Sequence, residues 1–123
     1  MTGVRVLVGA PWRAMLAARL RPLPLRRLFG FEFPVAIGFR SRMLGLAGLE
    51  REEAGEGLLI PRCSSVHTFG MRFPLDLVFL GSDGLPLDVR LGVPPRRIAW
   101  RRGAAAVLEL PSREGGENAG AGT

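Results

Sequence analysis

The chain has 123 residues, a net charge of +6, one Cys and one His. This length suits a single domain with one hydrophobic core, and a lone Cys excludes an intramolecular disulfide. Residues 1–30 hold six Arg and no acidic residue, whereas the rest of the chain holds eleven Arg and eleven acidic residues. Because the body of the chain is electrically neutral, a domain-wide basic surface for specific nucleic-acid binding is excluded.

Residues 1–30 form a basic N-terminal segment. A β-branched run over residues 4–8 predicts a strand. Pro11 suits the first position of a short helix that would end at Leu20. Residues 21–30 contain two Pro and three Arg, which predicts an irregular connector.

The short helix would place Trp12, Leu16 and Leu20 on one face, with arginines away from it. This pattern is typical of a helix on an anionic membrane surface, and it is equally typical of a surface helix packed on its own domain. Docking to a membrane or a protein partner through residues 11–30 is therefore one hypothesis. No apolar run reaches the length of a signal-peptide core or a membrane span, so we expect a cytoplasmic protein.

The next part of the chain predicts a strand over residues 31–37 and a short helix over residues 39–46. In that helix, Phe39, Met43 and Leu46 would point inward. Residues 50–57, which contain four Glu, predict a solvated loop.

The central stretch, residues 57–84, holds the longest apolar alternation in the chain. Successive side chains of a strand point to opposite faces, so a period of two predicts an extended segment with one buried face. The odd-numbered positions on that face are Cys63, Ser65, His67, Phe69, Met71, Phe73, Leu75, Leu77 and Phe79. Pro74 interrupts the run and indicates an edge strand or a bend.

An Asp-Gly pair within residues 81–84 predicts a hairpin turn. The strand after it would place Leu85, Leu87, Val89 and Leu91 on one face and Asp88 and Arg90 on the other. Residues 104–110 predict a closing strand. Residues 112–123 predict a disordered tail. The predicted fold is therefore mainly β, a small β-sandwich or flattened barrel over residues 31–111 with one or two short helices.

Cys63, His67 and Met71 follow one another at four-residue intervals, which resembles the ligand loop of blue-copper proteins. Those sites need two His, and this chain has one. Four residues of a strand also span about 13 Å, too far for Cys63 and His67 to share an ion unless the chain bends. We therefore expect no metal and no cofactor.

Two interpretations of Cys63 and His67 stay open. Cys63 is either a reactive thiol activated by His67 or an inert, small apolar residue. His67 is either a core residue bonded to the backbone or to Asp76 or Glu109, or the polar anchor of a ligand pocket. Arg72 lies four residues from Asp76 on the same predicted face, which indicates a structural ion pair or an acid with its electrostatic helper.

The favoured hypothesis is a non-enzymatic ligand-binding or accessory domain for a small molecule or a protein partner. Its pocket would be lined by His67, Phe69, Met71 and Phe73, with Arg42, Arg72 and Asp76 at the rim. The sequence shows neither a triad nor a phosphate-binding loop, as many hydrolases and transferases would. The alternative is an enzyme that uses His67 with Asp76 as acid and base.

Several of these positions resemble a known family. They are Ala36, Arg42, the Gly45–Leu46 pair, residues 57–60, the block SVHTFGMRFPLDLVFL over residues 65–80, Gly84, the Pro94 region and VLEL over residues 107–110. In these residues the chain resembles the bacterial and archaeal family called domain of unknown function 192. The resemblance implies a small β-sandwich-like fold with a short helix after the first strands. It implies no established activity, cofactor or catalytic residue.

Overall fold

The structure, a computed structural model, describes residues 15–113. In chain order its elements are β1 (Leu25–Leu28), β2 (Phe31–Pro34), α1 (Phe39–Leu44), a 3₁₀-helix (Arg51–Ala54), β3 (Leu58–Pro61), β4 (Ser65–His67), β5 (Leu75–Leu80), β6 (Pro86–Val93), β7 (Ile98–Trp100) and β8 (Ala106–Pro111). The prediction of a small, mainly β fold is confirmed. The strands of residues 15–113 form three antiparallel sheets, and none of the three closes into a barrel.

The largest sheet has the strand order β3-β8-β5-β6, and both of its faces are partly covered. One face contributes to the larger core, which also takes in residues from the N-terminal segment and from the turn after α1. The buried members from the sheet are Leu58, Ile60, Leu75, Leu77, Phe79 and Val107. On the opposite face Leu59, Leu80 and Leu108 pack against Phe33 of the β1–β2 hairpin. The sheet is therefore the scaffold that positions the loops around it.

The β5–β6 hairpin forms where the Asp-Gly pair predicts it. The backbone N–H of Gly84 donates to the carbonyl of Gly81 at 2.9 Å, and the N–H of Leu85 donates to the Asp83 carboxylate at 3.0 Å. Gly84 has φ +82°, a conformation that favours glycine. This turn chemistry explains why the local sequence was sufficient to locate the hairpin.

The apolar side of the strand after this turn is exposed to solvent. Leu85, Leu87, Val89 and Leu91 are all exposed. The opposite side of β6 faces the larger core, because the Arg90 guanidinium lies 4.9 Å from the centroid of the Phe79 ring. Arg90 also binds Asp88 at 3.0 Å. A cation over an aromatic face stabilises this arrangement, so the charged side of β6 is the covered one.

The basic N-terminal segment is described from residue 15 onward. The strand over residues 4–8 and the start of the predicted helix lie outside the described residues. The helix does not reach Leu20, because residues 18–22 form turns. Leu16 and Leu20 are buried in the larger core, so they do not offer an apolar face to a membrane.

The predicted irregular connector contains a strand instead. Residues 25–28 form β1, which pairs with β2. Phe29 and Gly30 join the two strands with φ values of +51° and +84°. Two consecutive positive φ values are typical of a tight hairpin turn, which explains how a segment with two Pro returns on itself.

Helix α1 is more exposed than the sequence predicts. It has no buried residue; Phe39 is 79% exposed, and Met43 is exposed as well. Only Leu46, in the turn after the helix, is buried as expected. The prediction that Phe39 and Met43 point inward is therefore wrong.

The central stretch is not one continuous strand. Val66 and Thr68 are buried whereas Phe69 is exposed, so the alternation changes face at a turn over residues 69–70. The Thr68 hydroxyl fixes this turn, since it donates to the Pro94 carbonyl at 2.7 Å and accepts the Arg97 N–H at 2.8 Å. Pro74 precedes β5, an interior strand, which agrees with the predicted bend and not with an edge strand.

At the other end of the domain Ser112 is buried and its backbone N–H donates to the Pro74 carbonyl at 3.0 Å. The ordered domain therefore extends past the predicted start of the tail, most of which lies outside the described residues. No helix within residues 15–113 combines the length and the apolar character needed to cross a bilayer.

Candidate functional site

A cavity of about 570 Å³ opens between α1, the end of β3 and strand β4. Its volume lies within the range of small-molecule sites. It is lined by Phe39, Arg42, Met43, Leu44, Gly45, Ile60, Arg62, Cys63, Ser64, Ser65, Val66, His67, Ile98 and Glu109. We call this the Glu109 cavity.

Glu109 is the most unusual residue of this cavity. It lies in β8 opposite Leu58 of β3 and Leu77 of β5, both fully buried, so its side chain shares the apolar face of the sheet. Glu109 is 2% exposed, and its Oε1 atom has no hydrogen-bond partner. An unpartnered buried polar atom is uncommon in native proteins and calls for an explanation.

The surroundings of Glu109 disfavour its ionised form. Burial raises the pKa of the Glu109 carboxyl to about 8, although a hydrogen bond from the Leu46 backbone acts in the opposite direction. A charged carboxylate loses its hydration in an apolar environment, and the two guanidinium groups lining the cavity do not reverse this effect. The carboxyl group is therefore mostly protonated at neutral pH and can donate a hydrogen bond.

Gly45 opens the cavity beside this carboxyl. It follows α1 directly with φ +53°, and a Cβ at this position would lie 2.8 Å from Glu109 Oε1. A side chain here would fill the space next to the unpartnered oxygen. Glycine at position 45 therefore serves the turn and keeps a side chain out of the space next to Oε1.

His67 lines the same cavity, but both of its ring nitrogens are engaged by the backbone. The Phe69 N–H donates to Nδ1 at 3.2 Å, so the proton of the neutral ring is on Nε2. Nε2 lies 2.9 Å from the Met43 carbonyl and donates to it. His67 thus connects β4 to α1, and its nitrogens are not free to anchor a ligand or to act as a base.

The variant His67→Ala tests this assignment. It leaves the Met43 carbonyl and the Phe69 N–H without their partner, so we expect a loss of roughly 1–2 kcal/mol in the free energy of unfolding. Urea denaturation measures it, with the exposed Arg96→Ala as the control. Unchanged or increased stability would show that the ring does not hold these elements together.

Cys63 and Arg42 line the cavity beside His67. The Cys63 thiol donates to the Ser65 carbonyl at 2.9 Å, and His67 has no free nitrogen to deprotonate it. Arg42 donates to the carbonyl of Pro61 and, at 2.9 Å, to that of Arg62. Arg42 therefore fixes α1 against the end of β3 and brings a positive charge to the cavity.

The structure does not bring the remaining predicted site residues to this cavity. Phe69 is exposed, with its ring centroid 5.8 Å from that of His67. Met71 and Phe73 are buried in the larger core. Arg72 pairs with Glu50, so the predicted ion pair with Asp76 is wrong.

Asp76 belongs to a different cavity. Its carboxylate accepts the Gly92 N–H at 2.8 Å. It lines a second cavity, also of about 570 Å³, with Phe31 and Val78. His67 and Asp76 therefore do not form the acid–base pair of the enzyme hypothesis.

The sequence analysis did not identify Glu109 as a site residue. The available signal was one acidic residue in the otherwise apolar strand VLEL. Among residues 15–113 no cluster of three or more His, Cys, Asp or Glu side chains has a spacing suited to a metal ion.

A family model described as DUF192, Uncharacterized ACR, matches residues 27–117. A crystal structure from Sinorhizobium meliloti, described as a "putative transcription regulator", is similar with 24% identity and a TM-score of 0.59, covering 72% of this chain and 77% of the other. A protein of unknown function from Novosphingobium aromaticivorans is similar with 22% identity and a TM-score of 0.54, covering 80% and 75%. These likenesses show a shared fold. No curated protein matches the chain.

Proposed function

This chain belongs to the domain of unknown function 192 family, and we propose that it is a non-enzymatic ligand-binding domain whose site is the Glu109 cavity. The observation that carries the proposal is the unpartnered Oε1 atom of a carboxyl group that is 2% exposed. Burying a polar group without a partner costs free energy. A ligand that bonds to Oε1 would recover part of that cost, and this recovery favours binding at this position.

The shape of the site supports the same proposal. Pockets for small molecules combine apolar walls with a few convergent polar groups. Here Ile60, Val66 and Met43 form apolar walls, and Glu109 and Arg42 provide the polar groups. The site thus offers both affinity through burial and orientation through hydrogen bonds.

The absence of a reactive pair in this cavity argues against catalysis. A nucleophile needs a base within hydrogen-bond distance. The thiol of Cys63 bonds to a backbone carbonyl, and both ring nitrogens of His67 are occupied. Glu109 is then a binding group, since its proton has no reacting partner among the described residues of the cavity.

A fragment screen by ¹H–¹⁵N NMR tests the proposal, with Gly45→Ala as the blocking variant and Gly48→Ala as the control. Both glycines have positive φ in the same turn, but only a Cβ at position 45 meets Glu109, while position 48 has open space. We expect fragments to shift the amide signals of Leu46 and Val66, and to bind at least about tenfold more weakly to Gly45→Ala, a loss of 1.4 kcal/mol or more.

Gly48→Ala should bind fragments as the parent protein does, because its Cβ meets no atom within 4 Å and leaves the cavity unchanged. Fragments that bind Gly45→Ala and the parent equally, or that shift only residues of the second cavity, would contradict the proposal.

A further inference from the structure

We infer that the ligand of the Glu109 cavity is a small monocarboxylate with an apolar body, whose carboxylate accepts a hydrogen bond from Glu109 in a cavity that Arg42 and Arg62 make positive. This inference rests on the proposed function, since it names the chemical class that the same cavity accepts. Three features carry it: the charges around the cavity, the unpartnered oxygen and the apolar walls.

The charges favour an anion. The charged side chains that line the cavity are Arg42, Arg62 and Glu109. His67 is neutral in its hydrogen-bonded tautomer, and Cys63 contributes a thiol. With the Glu109 proton in place, the cavity carries the positive charge of two guanidinium groups, which attract an anion and repel an ammonium group.

The Arg19 side chain next to the cavity leaves the net charge around the cavity positive. Arg19 donates to the carbonyls of Gly45 at 3.0 Å and Ala47 at 2.7 Å, so it reaches the turn from outside the cavity. Its charge has the same sign as that of Arg42 and Arg62. No acidic side chain other than Glu109 lines the cavity in the described part of the chain.

Glu109 selects a carboxylate among anions. A protonated carboxyl group donates a short, charge-assisted hydrogen bond to a carboxylate oxygen. Two adjacent carboxyl groups hold one shared proton, because both cannot ionise side by side. Burial of Glu109 keeps its proton available at neutral pH.

The walls select an apolar body. Ile60 and Val66 are buried, whereas Phe39, Met43 and Ile98 are exposed at the cavity and would lose solvent-accessible area when an alkyl or aryl group enters. Burial of this apolar surface is the main source of affinity for such a group. A ligand without an apolar body would leave these side chains exposed.

The test compares hexanoate, hexylammonium, hexanol and inorganic phosphate by ¹H–¹⁵N NMR titration of the Cys63→Ala protein, which has no thiol in the cavity. We expect hexanoate to bind most tightly near pH 6.5 and about tenfold more weakly near pH 9, because the required proton is lost as pH rises through the Glu109 pKa of about 8. An ammonium ligand would show the opposite pH dependence.

Two variants test whether the pH dependence of hexanoate binding comes from the Glu109 proton. Glu109→Gln keeps a hydrogen-bond donor that does not titrate, so we expect hexanoate to bind within several-fold of its affinity at pH 6.5 and with no loss between pH 6.5 and 9. Glu109→Leu removes the donor and should weaken binding about tenfold or more. A pH dependence that persists in Glu109→Gln overturns the inference.

The remaining outcomes separate the inference from the proposed function. If hexylammonium or hexanol binds in the cavity as tightly as hexanoate, and Gly45→Ala blocks it, the carboxylate inference fails and the proposed function stands. Equal binding of phosphate shows a simple anion site and overturns the inference. Failure of hexanoate to shift cavity residues also overturns it, while the fragment screen decides the proposed function independently.

Discussion

Glu109→Gln is expected to change the free energy of unfolding differently at pH 8 and at pH 4. Relative to the parent protein, the variant should be more stable at pH 8 than at pH 4 by on the order of 4 kcal/mol. Glu109 is 2% exposed, opposite Leu58 and Leu77, and burial raises its pKa from 4.5 to about 8. The substitution keeps the shape of the side chain and removes its titration. It therefore isolates the free energy that proton binding contributes to stability.

The sign of the effect follows from the number of protons that each state binds. Between pH 4.5 and 8 the folded protein keeps the Glu109 proton, while the unfolded chain has released it. The stability linked to this proton is fully present below pH 4.5 and is lost progressively as the pH rises towards 8. The parent protein loses this contribution over that window, and Glu109→Gln does not.

Urea denaturation at pH 4, 6 and 8 measures the difference between the two proteins. Other carboxylates titrate equally in both, so their effects cancel in the difference. Glu32→Gln is the matched control, because it makes the same substitution at a side chain that is exposed on β2. Parallel curves for the parent and Glu109→Gln would contradict a buried, protonated Glu109.

The sequence predicted those parts of the fold that local chemistry determines. The Asp-Gly pair located the β5–β6 hairpin because its turn needs a glycine at positive φ, which Gly84 supplies. The closing strand β8 followed from its apolar run before Pro111. In both cases a short window of sequence contained the physical cause of the structure.

Tertiary contacts decided the parts that the sequence could not predict. The apolar alternation in β6 predicted a strand with two different faces, but it did not predict which face packs against the larger core. That choice depends on Arg90 lying over the Phe79 ring. Strand β1 depends on a turn in which Phe29 takes a positive φ, a conformation that sequence rules assign to few non-glycine residues. The first feature depends on residues that are distant in sequence, and the second on a rare local conformation.

The candidate site shows the same limit. His67 was identified from its position among apolar residues, but its two backbone partners come from β4's own turn and from α1. Glu109 is buried because the strand register places it opposite Leu58 and Leu77. The register between strands that are distant in sequence cannot be predicted from the sequence of either strand alone. Glu109 could therefore be recognised as the central residue of the site only from the structure.

Gly57→Ala is expected to destabilise the protein by about 3 kcal/mol or more, and to weaken the pairing that positions Glu109. Gly57 precedes β3 with φ +144°, and a Cβ there would lie 2.3 Å from the Glu109 backbone oxygen and 2.8 Å from Leu110 Cδ2. The first of these atoms belongs to the backbone of β8, so it cannot rotate away. Relief of the clash requires β3 and β8 to separate where Leu58 pairs with Glu109.

Gly84→Ala is the control for a glycine with positive φ where a Cβ meets no clash. Gly84 also has a positive φ, +82°, but a Cβ there meets nothing within 4 Å, so only the conformational cost of about 1–2 kcal/mol applies. Urea denaturation of both variants gives the difference. A larger loss for Gly57→Ala, together with amide shifts around Glu109, would show that close approach of β3 to β8 holds the floor of the cavity in place. Equal losses would mean that the two strands can separate at this point without cost, and that Gly57 serves the backbone conformation alone.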